Sequence, residues 1–135
     1  MTKQEYEAVA KLIVNSAFEV HKELGPGLLE SVYQSCLIEE LKSKGLDVLS
    51  QVSLPIYYKG KKLEKYYLID LLVEDAIAIE LKATEKINPL YEVQLVTYMK
   101  LAGIKLGFLI NFNVQYFKDG IKRKVNNYFL DDLAS

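Results

Sequence analysis

Three charged residues interrupt two strongly apolar segments in the middle of the chain. Asp70 lies inside the run at 66–73, and Glu80 and Lys82 close the run at 77–82. Short, mostly apolar runs of this kind are typical of buried strands. Because side chains alternate between the two faces of a strand, Glu80 and Lys82 share one face. Two acids and an amine in such apolar surroundings are candidates for a catalytic or metal-binding site.

The pairing of these two strands decides whether the acids meet. The simplest hairpin register places Asp70 opposite Glu80 and Leu72 opposite Ala78, with a loop at 74–76. Opposite residues point to one face, with β-carbons about 4.5–5.5 Å apart. A two-residue turn would instead separate the acids onto opposite faces. Carboxylates this close repel each other, and a shared proton, the nearby lysine or a divalent cation would relieve the repulsion. The cation is the most productive of the three, because hard cations prefer oxygen ligands.

The spacing D–x9–E–x–K of Asp70, Glu80 and Lys82 resembles the catalytic signature of the PD-(D/E)xK nuclease superfamily. The resemblance implies that the two acids hold Mg²⁺ or Mn²⁺, with the backbone carbonyl of Leu81 as a further ligand. It also implies that the lysine positions and activates the attacking water. The proline of the signature is absent, and Ile69 stands in its place.

Two further motifs extend the resemblance. Gly27, Glu30 and Tyr33 match the GxxExxY motif of a family of small prokaryotic proteins in this superfamily, and the likeness covers nearly the whole chain. It implies that Glu30 is a catalytic residue and metal ligand, with Tyr33 supporting it or binding substrate. A helix-dipole role is the alternative for this glutamate. Gln94 and Tyr98 match a QxxxY motif of exonuclease branches, and residues four apart share a helix face. They would bind the metal-site carboxylates or a substrate phosphate, or form only a polar seam on a buried helix.

Periodicity predicts the elements that must position these residues. The second helix is expected to bury Leu29 and Val32, Pro55 marks an edge strand, and the fourth strand should run parallel to the third. The predicted elements are helices at 3–23 and 28–44, strands at 52–58, 66–73 and 77–82, a helix at 89–102, a strand at 106–112 and a short hairpin in 114–130 around Asp119-Gly120. The fold class is therefore mixed α/β (α+β), a single domain over 1–135. Its order is ααβββαβ plus a short β tail, with helices flanking a mixed central sheet, as in the restriction-endonuclease-like core that the resemblance implies.

Composition excludes several classes of protein. The 135-residue chain has a formal net charge of −1 and one arginine, so it lacks the extended basic surface of a nucleic-acid coat protein, although a local basic patch remains open. Its single cysteine, Cys36, excludes an internal disulfide and favours a reducing, cytoplasmic compartment. No apolar run approaches the roughly 18 residues of a membrane helix, and the acidic N-terminal segment does not resemble a signal peptide.

The resulting hypothesis is a metal-dependent nuclease that acts on DNA or RNA. The alternative, favoured by the near-neutral charge, is a non-catalytic nucleic-acid-binding or protein-interaction module that retains the fold. A third interpretation is a small subunit whose homo-oligomer supplies the missing basic surface. The lysines in 59–65 and 118–124 are either solvated or in contact with phosphates.

Overall fold

The computed structural model describes residues 1–129. Its elements are α1 (Lys3–Leu24), α2 (Glu30–Ser43), β1 (Val48–Tyr58), β2 (Lys61–Val73), β3 (Ile77–Lys82), α3 (Pro89–Ala102), β4 (Leu106–Asn111), a 3₁₀ turn (Phe117–Asp119) and β5 (Ile121–Val125). This is the predicted order, and the predicted fold class is confirmed. Position 130, the last residue of the predicted tail hairpin, lies outside the described residues.

The five strands form one mixed sheet in the order β1-β2-β3-β4-β5. Successive strands pair antiparallel except β3 and β4, which are parallel, as expected for strands joined through α3. Pro55 lies on the edge strand β1, where proline is tolerated because one side of the strand has no hydrogen-bonded neighbour. Lys59 and Gly60 connect β1 to β2 with φ angles of 50° and 79°, as a tight two-residue hairpin turn requires.

The sheet separates two hydrophobic cores. On one face, α1 and α2 bury residues such as Ile13 and Leu37 against the odd-numbered side chains of β3, including Ile79. On the other face, α3 buries Leu95 and Met99. Thus α1 and α2 cover one face of the strands that carry Asp70, Glu80 and Lys82, and α3 covers the other face.

Local sequence accounts for where the first and third helices begin. Thr2 caps α1 through a reciprocal capping box with Glu5, since each side chain accepts a hydrogen bond from the other residue's backbone N–H. Asn88 caps α3 by accepting from the N–H of Leu90, with Pro89 at the first helical position. Gly103 ends α3 in the left-handed conformation.

Two expectations are wrong. The tail does not form a hairpin of its own, because 114–120 is a loop with a 3₁₀ turn and β5 pairs with the otherwise free edge of β4. Leu29 and Val32 are not buried: their exposed fractions are 74% and 39%. The reason is that α2 begins only at Glu30 and buries a narrower stripe, at Tyr33, Leu37 and Leu41.

Among residues 1–129, no helix combines the length and the hydropathy needed to cross a lipid bilayer.

Candidate active site

The hairpin register of β2 and β3 is the one predicted. Leu72 lies opposite Ala78, and Leu71 lies opposite Ile79. The same register brings Asp70 to Glu80, at the point where the regular ladder of backbone hydrogen bonds between the strands ends. The two acids therefore meet at the end of the paired segment.

Beyond this point, side-chain carboxylates and not backbone carbonyls accept the hydrogen bonds between the strands. The N–H of Asp70 donates to Oε1 of Glu80 at 3.2 Å, and the N–H of Leu81 donates to Oδ2 of Asp70 at 2.8 Å. The two carboxylates thus lie between the strands and satisfy backbone donors that would otherwise be unpaired. Because the N–H and C=O of one strand residue point to the same neighbour, the carbonyl of Leu81 also faces β2.

A break in the alternation of β2 turns Asp70 toward β3. Ile69 packs into the core under α3, whereas Leu71, two residues later, packs into the core under α1 and α2. Residues two apart in a regular strand share a face, so the strand rotates at Asp70. Across the pair, Gln51 has a φ of 52° and its amide donates to Oδ1 of Asp70 at 3.4 Å. This distortion places the aspartate in the plane of the sheet.

Burial and repulsion act together on Glu80. Desolvation, followed by the charge of Asp70, raises the pKa of the Glu80 carboxyl to about 8, and Lys82 partly offsets this rise. A protonated carboxyl at neutral pH is one of the three ways in which such a pair avoids repulsion. The site therefore favours either a retained proton or a cation between the strands.

Lys82 closes β3 and lies over an aromatic ring of α3. Its Nζ is 4.4 Å from the ring centroid of Tyr91, within the range of a cation–π interaction. The following loop is held by Asn111, a buried amide that accepts from the N–H of Thr84 and donates to its carbonyl. Asn111, whose role the sequence analysis missed, thus fixes the chain directly after the lysine.

Glu30 approaches the pair from the other side of the sheet. It is the first residue of α2 and is partly exposed. Partial desolvation of its carboxyl, followed by the charge of Asp70, raises its pKa, while Lys82 lowers it. Glu30 is thus within electrostatic reach of both residues. Within residues 1–129, however, no three carboxylate, histidine or cysteine side chains gather closely enough to form a ready metal cage. Asp70 and Glu80 meet directly, and Glu30 stands farther away.

Comparison with known proteins identifies the family. A model described as the PD-(D/E)XK nuclease superfamily matches residues 7–124. The chain belongs to this superfamily. The comparisons with curated proteins and with solved structures found no match. Nucleases of the superfamily generally use divalent metal ions, and membership implies a nucleic acid substrate.

The atoms at this site fit a divalent cation of the kind that the superfamily uses. Asp70 and Glu80 contribute carboxylate oxygens and Leu81 contributes a carbonyl oxygen that faces them, and hard cations bind oxygen ligands. Burial and then the charge of Asp70 raise the pKa of Glu80, because ionising both acids places two negative charges side by side in a desolvated site. A dication would offset that charge, whereas a monovalent cation would do so only in part.

Tyr33 of the GxxExxY motif is fully buried. Its hydroxyl donates to the carbonyl of Gly25 at 2.5 Å and accepts from the N–H of Leu28 at 3.2 Å, and its ring stacks on Phe112 at 4.6 Å. At this position the side chain has no exposed surface. These hydrogen bonds tie the tyrosine to the loop that leads into the first turn of α2, where Glu30 lies.

Removing the Tyr33 hydroxyl should destabilise this loop. We expect Tyr33→Phe to lower the free energy of unfolding by about 1–2 kcal/mol, because two hydrogen bonds to backbone groups are lost. The control is Tyr116→Phe, whose side chain is 59% exposed and should tolerate the change. Chemical denaturation measures both variants, and equal stability of Tyr33→Phe and the unchanged protein would contradict the supporting role.

Tyr98 of the QxxxY motif lies beside a tyrosine of β2 that the sequence analysis missed. The ring of Tyr98 contacts the ring of Tyr67 on β2. Burial and the nearby Glu80 and Tyr98 raise the pKa of Tyr67. Gln94 lies between Tyr91 and Tyr98 on the same stripe of α3, and among residues 1–129 its side chain forms no hydrogen bond. From strand alternation alone, Tyr67 cannot be distinguished from the other apolar residues of this strand.

The hydroxyl of Tyr67 is buried and has no hydrogen-bond partner within the described residues. Such a group costs about 1–3 kcal/mol, so we expect Tyr67→Phe to raise the melting temperature of the metal-free protein. The matched control is Tyr66→Phe, because that neighbour is 62% exposed and its hydroxyl meets water. A lower melting temperature for Tyr67→Phe would mean that the hydroxyl has a stabilising partner.

Proposed function

We propose that this superfamily member is a divalent-metal-dependent nuclease that hydrolyses phosphodiester bonds in DNA or RNA. The observation that carries the proposal is the pairing of Asp70 and Glu80 across the end of the β2–β3 ladder, with Lys82 on the same strand as the glutamate. A structural sheet gains nothing from two acids that repel each other in its interior.

Each residue has a separate task in this proposal. Asp70, Glu80 and the Leu81 carbonyl bind the cation, and Glu30 joins them from α2. A bound divalent cation polarises the scissile phosphate and lowers the pKa of a water molecule. The Lys82 ammonium donates to the phosphate and orients the attacking water, since a charged amine is a donor and not a metal ligand. Tyr91 holds this ammonium in place from α3.

The proposal extends to details that the superfamily leaves open. The motif at Gly27, Glu30 and Tyr33 supports placement in the GxxExxY family of small prokaryotic proteins, and Mg²⁺ or Mn²⁺ is the proposed ion. Gln94 and Tyr98 are proposed to bind the substrate or to support the carboxylates, because they lie on the helix face that carries Tyr91. The single cysteine supports a reducing cytoplasmic setting.

One observation favours the alternative of a non-catalytic module: within 1–129 the carboxylates form a pair and not a three-ligand cluster. Thermal stability with and without Mn²⁺ separates the two functions. A competent site raises the melting temperature as free metal exceeds its dissociation constant. No shift at millimolar metal would favour the interaction module or a homo-oligomeric subunit that completes its site from a second copy.

The decisive assay measures hydrolysis of single- and double-stranded DNA and RNA in Mn²⁺. We expect cleavage of at least one substrate, and loss of that cleavage both on chelation of the metal and in Lys82→Ala. Cleavage that persists in Lys82→Ala would indicate a contaminating nuclease or a different mechanism.

A further inference from the structure

The first two strands extend beyond the rest of the sheet on the side of the candidate site. Because β2 runs antiparallel to β3, the register that pairs Leu72 with Ala78 brings the last residue of β3, Lys82, opposite position 68. Residues 55–66, which we name the hairpin arm, therefore have no neighbour from β3. At about 3.3 Å per strand residue, Tyr66 lies about 13 Å from Asp70 and the tip lies about 30 Å from it.

The arm combines cations and aromatic rings on an open surface. It carries four lysines and one acid, Glu64. Its tyrosines are strongly exposed, at 51% for Tyr57, 62% for Tyr58 and 62% for Tyr66. Among the described residues, no carboxylate forms an ion pair with the lysines at 61, 62 and 65. Lys59 lies over the ring of Tyr58, with its Nζ 5.5 Å from the ring centroid. The other lysines and the rings of Tyr57 and Tyr66 are open to a ligand.

An irregularity shapes this surface into a concave site. Pro55 lies opposite Tyr66, but Tyr57 lies opposite Lys62, so a single residue of β1 faces three residues of β2. The resulting bulge frames a pocket of about 350 Å³, which is lined by Lys62, Lys65 and Tyr66 together with Glu64. A pocket of this size accommodates one nucleotide-sized group.

We propose that the hairpin arm binds single-stranded nucleic acid and guides it toward Asp70, Glu80 and Lys82. Lys62 and Lys65 contact phosphates, and Tyr66 stacks on a base. This inference rests on the proposed nuclease function and deepens it by naming the form of the substrate. Bases in a single strand offer their faces to aromatic side chains, and sequence-tolerant binding of single strands combines such stacking with a basic surface.

The composition of the arm favours a single strand over a duplex. A two-stranded ribbon fits the major groove of B-DNA, where arginine, lysine, asparagine and glutamine read base edges. Of these four residue types, residues 55–66 contain only lysine, which binds phosphates equally well. Exposed tyrosine rings gain little from a duplex, because its bases are already stacked on each other.

The test measures binding of a fluorescein-labelled oligothymidylate by anisotropy, in EDTA so that no hydrolysis occurs. In Lys62→Ala/Lys65→Ala, the negative slope of log affinity against log salt should become shallower by about 1.4, since each phosphate contact in a single strand contributes about 0.7. Tyr66→Ala should weaken binding about 5- to 150-fold without changing the slope, as expected for one lost stacking contact. Tyr66→Phe should bind like the unchanged protein.

The matched control for charge is Lys118→Ala/Lys122→Ala, which removes two exposed lysines from the 3₁₀ turn and β5. Its affinity and slope should change less than those of the arm variant. The proposal is overturned if the unchanged protein does not bind the single strand, if the control loses as much affinity as the arm variant, or if a duplex binds equally well and Tyr66→Ala has no effect.

The same measurements separate the arm from the nuclease function. Binding that depends on Lys62, Lys65 and Tyr66, in a protein that hydrolyses nothing in Mn²⁺, supports the arm and removes the proposed nuclease. Hydrolysis together with binding that ignores these three side chains supports the nuclease and removes the arm.

Discussion

Lys82→Ala should reduce the hydrolytic rate constant by at least about 10²- to 10³-fold, the usual cost of removing one donor that stabilises transition-state charge. The fold and most metal binding should survive, because the carboxylates bind the metal and the lysine acts on water and phosphate. Single-turnover hydrolysis and thermal unfolding, measured on the same preparation, give both quantities.

The lysine also affects the metal-free protein. It lowers the pKa of Glu80 and so lessens the repulsion between that residue and Asp70. We therefore expect metal-free Lys82→Ala to be slightly less stable, and added Mg²⁺ to raise its melting temperature more than that of the unchanged protein. Lys11→Ala, an exposed lysine on α1, is the control and should change neither property. Unchanged turnover in Lys82→Ala would remove the mechanism, and the interaction module would then lead.

Metal-free stability should fall as pH rises between about 4.5 and 8, and Glu80→Gln should abolish this fall. The pKa of Glu80 is raised to about 8 by burial and by Asp70, so the folded state holds the proton more tightly than the unfolded state does. The stabilising contribution is complete below the unfolded pKa and is lost as pH passes through the folded pKa. At about 1.4 kcal/mol per pKa unit, the loss amounts to about 5 kcal/mol at most.

Urea unfolding over this pH range in EDTA measures the effect. The stability of Glu80→Gln relative to the unchanged protein should increase with pH, because glutamine keeps the site neutral. Mg²⁺ should restore the stability of the unchanged protein at pH 8 and have little effect on the stability of the variant. Glu39→Gln, on the exposed side of α2, serves as the control. A stability difference that is the same at every pH would show that Glu80 ionises normally in the folded protein.

Local pattern was sufficient for much of the fold. The caps of α1 and α3, the turn at Lys59 and Gly60 and the edge position of Pro55 follow from the preferences of a few adjacent residues. The pairing of Leu72 with Ala78 follows from alternation and from the length of one loop. These features depend on interactions within short segments, and a single sequence contains that information.

Part of the arrangement of the candidate site can be predicted from the same local information. The shared face of Glu80 and Lys82 follows from strand alternation, and the register brings Asp70 to them. The hydrogen bonds that the carboxylates of Asp70 and Glu80 form do not follow from alternation or register. A regular strand would point Asp70 away from the sheet plane, and only the distortion opposite Gln51 turns it between the strands.

Only the tertiary structure decided which distant residues approach the acids. Glu30 is separated from Asp70 by forty positions, and its electrostatic coupling to Asp70 depends on how α2 packs over the sheet. Tyr67 looks like any apolar strand residue until α3 brings Tyr98 against it beside Glu80. The exposure of Leu29 follows from where α2 begins. The sequence by itself determined the elements, their faces and the acid–lysine pattern, because these depend on spacing along the chain. Contacts between elements required the fold, because they depend on packing among segments that are far apart in sequence.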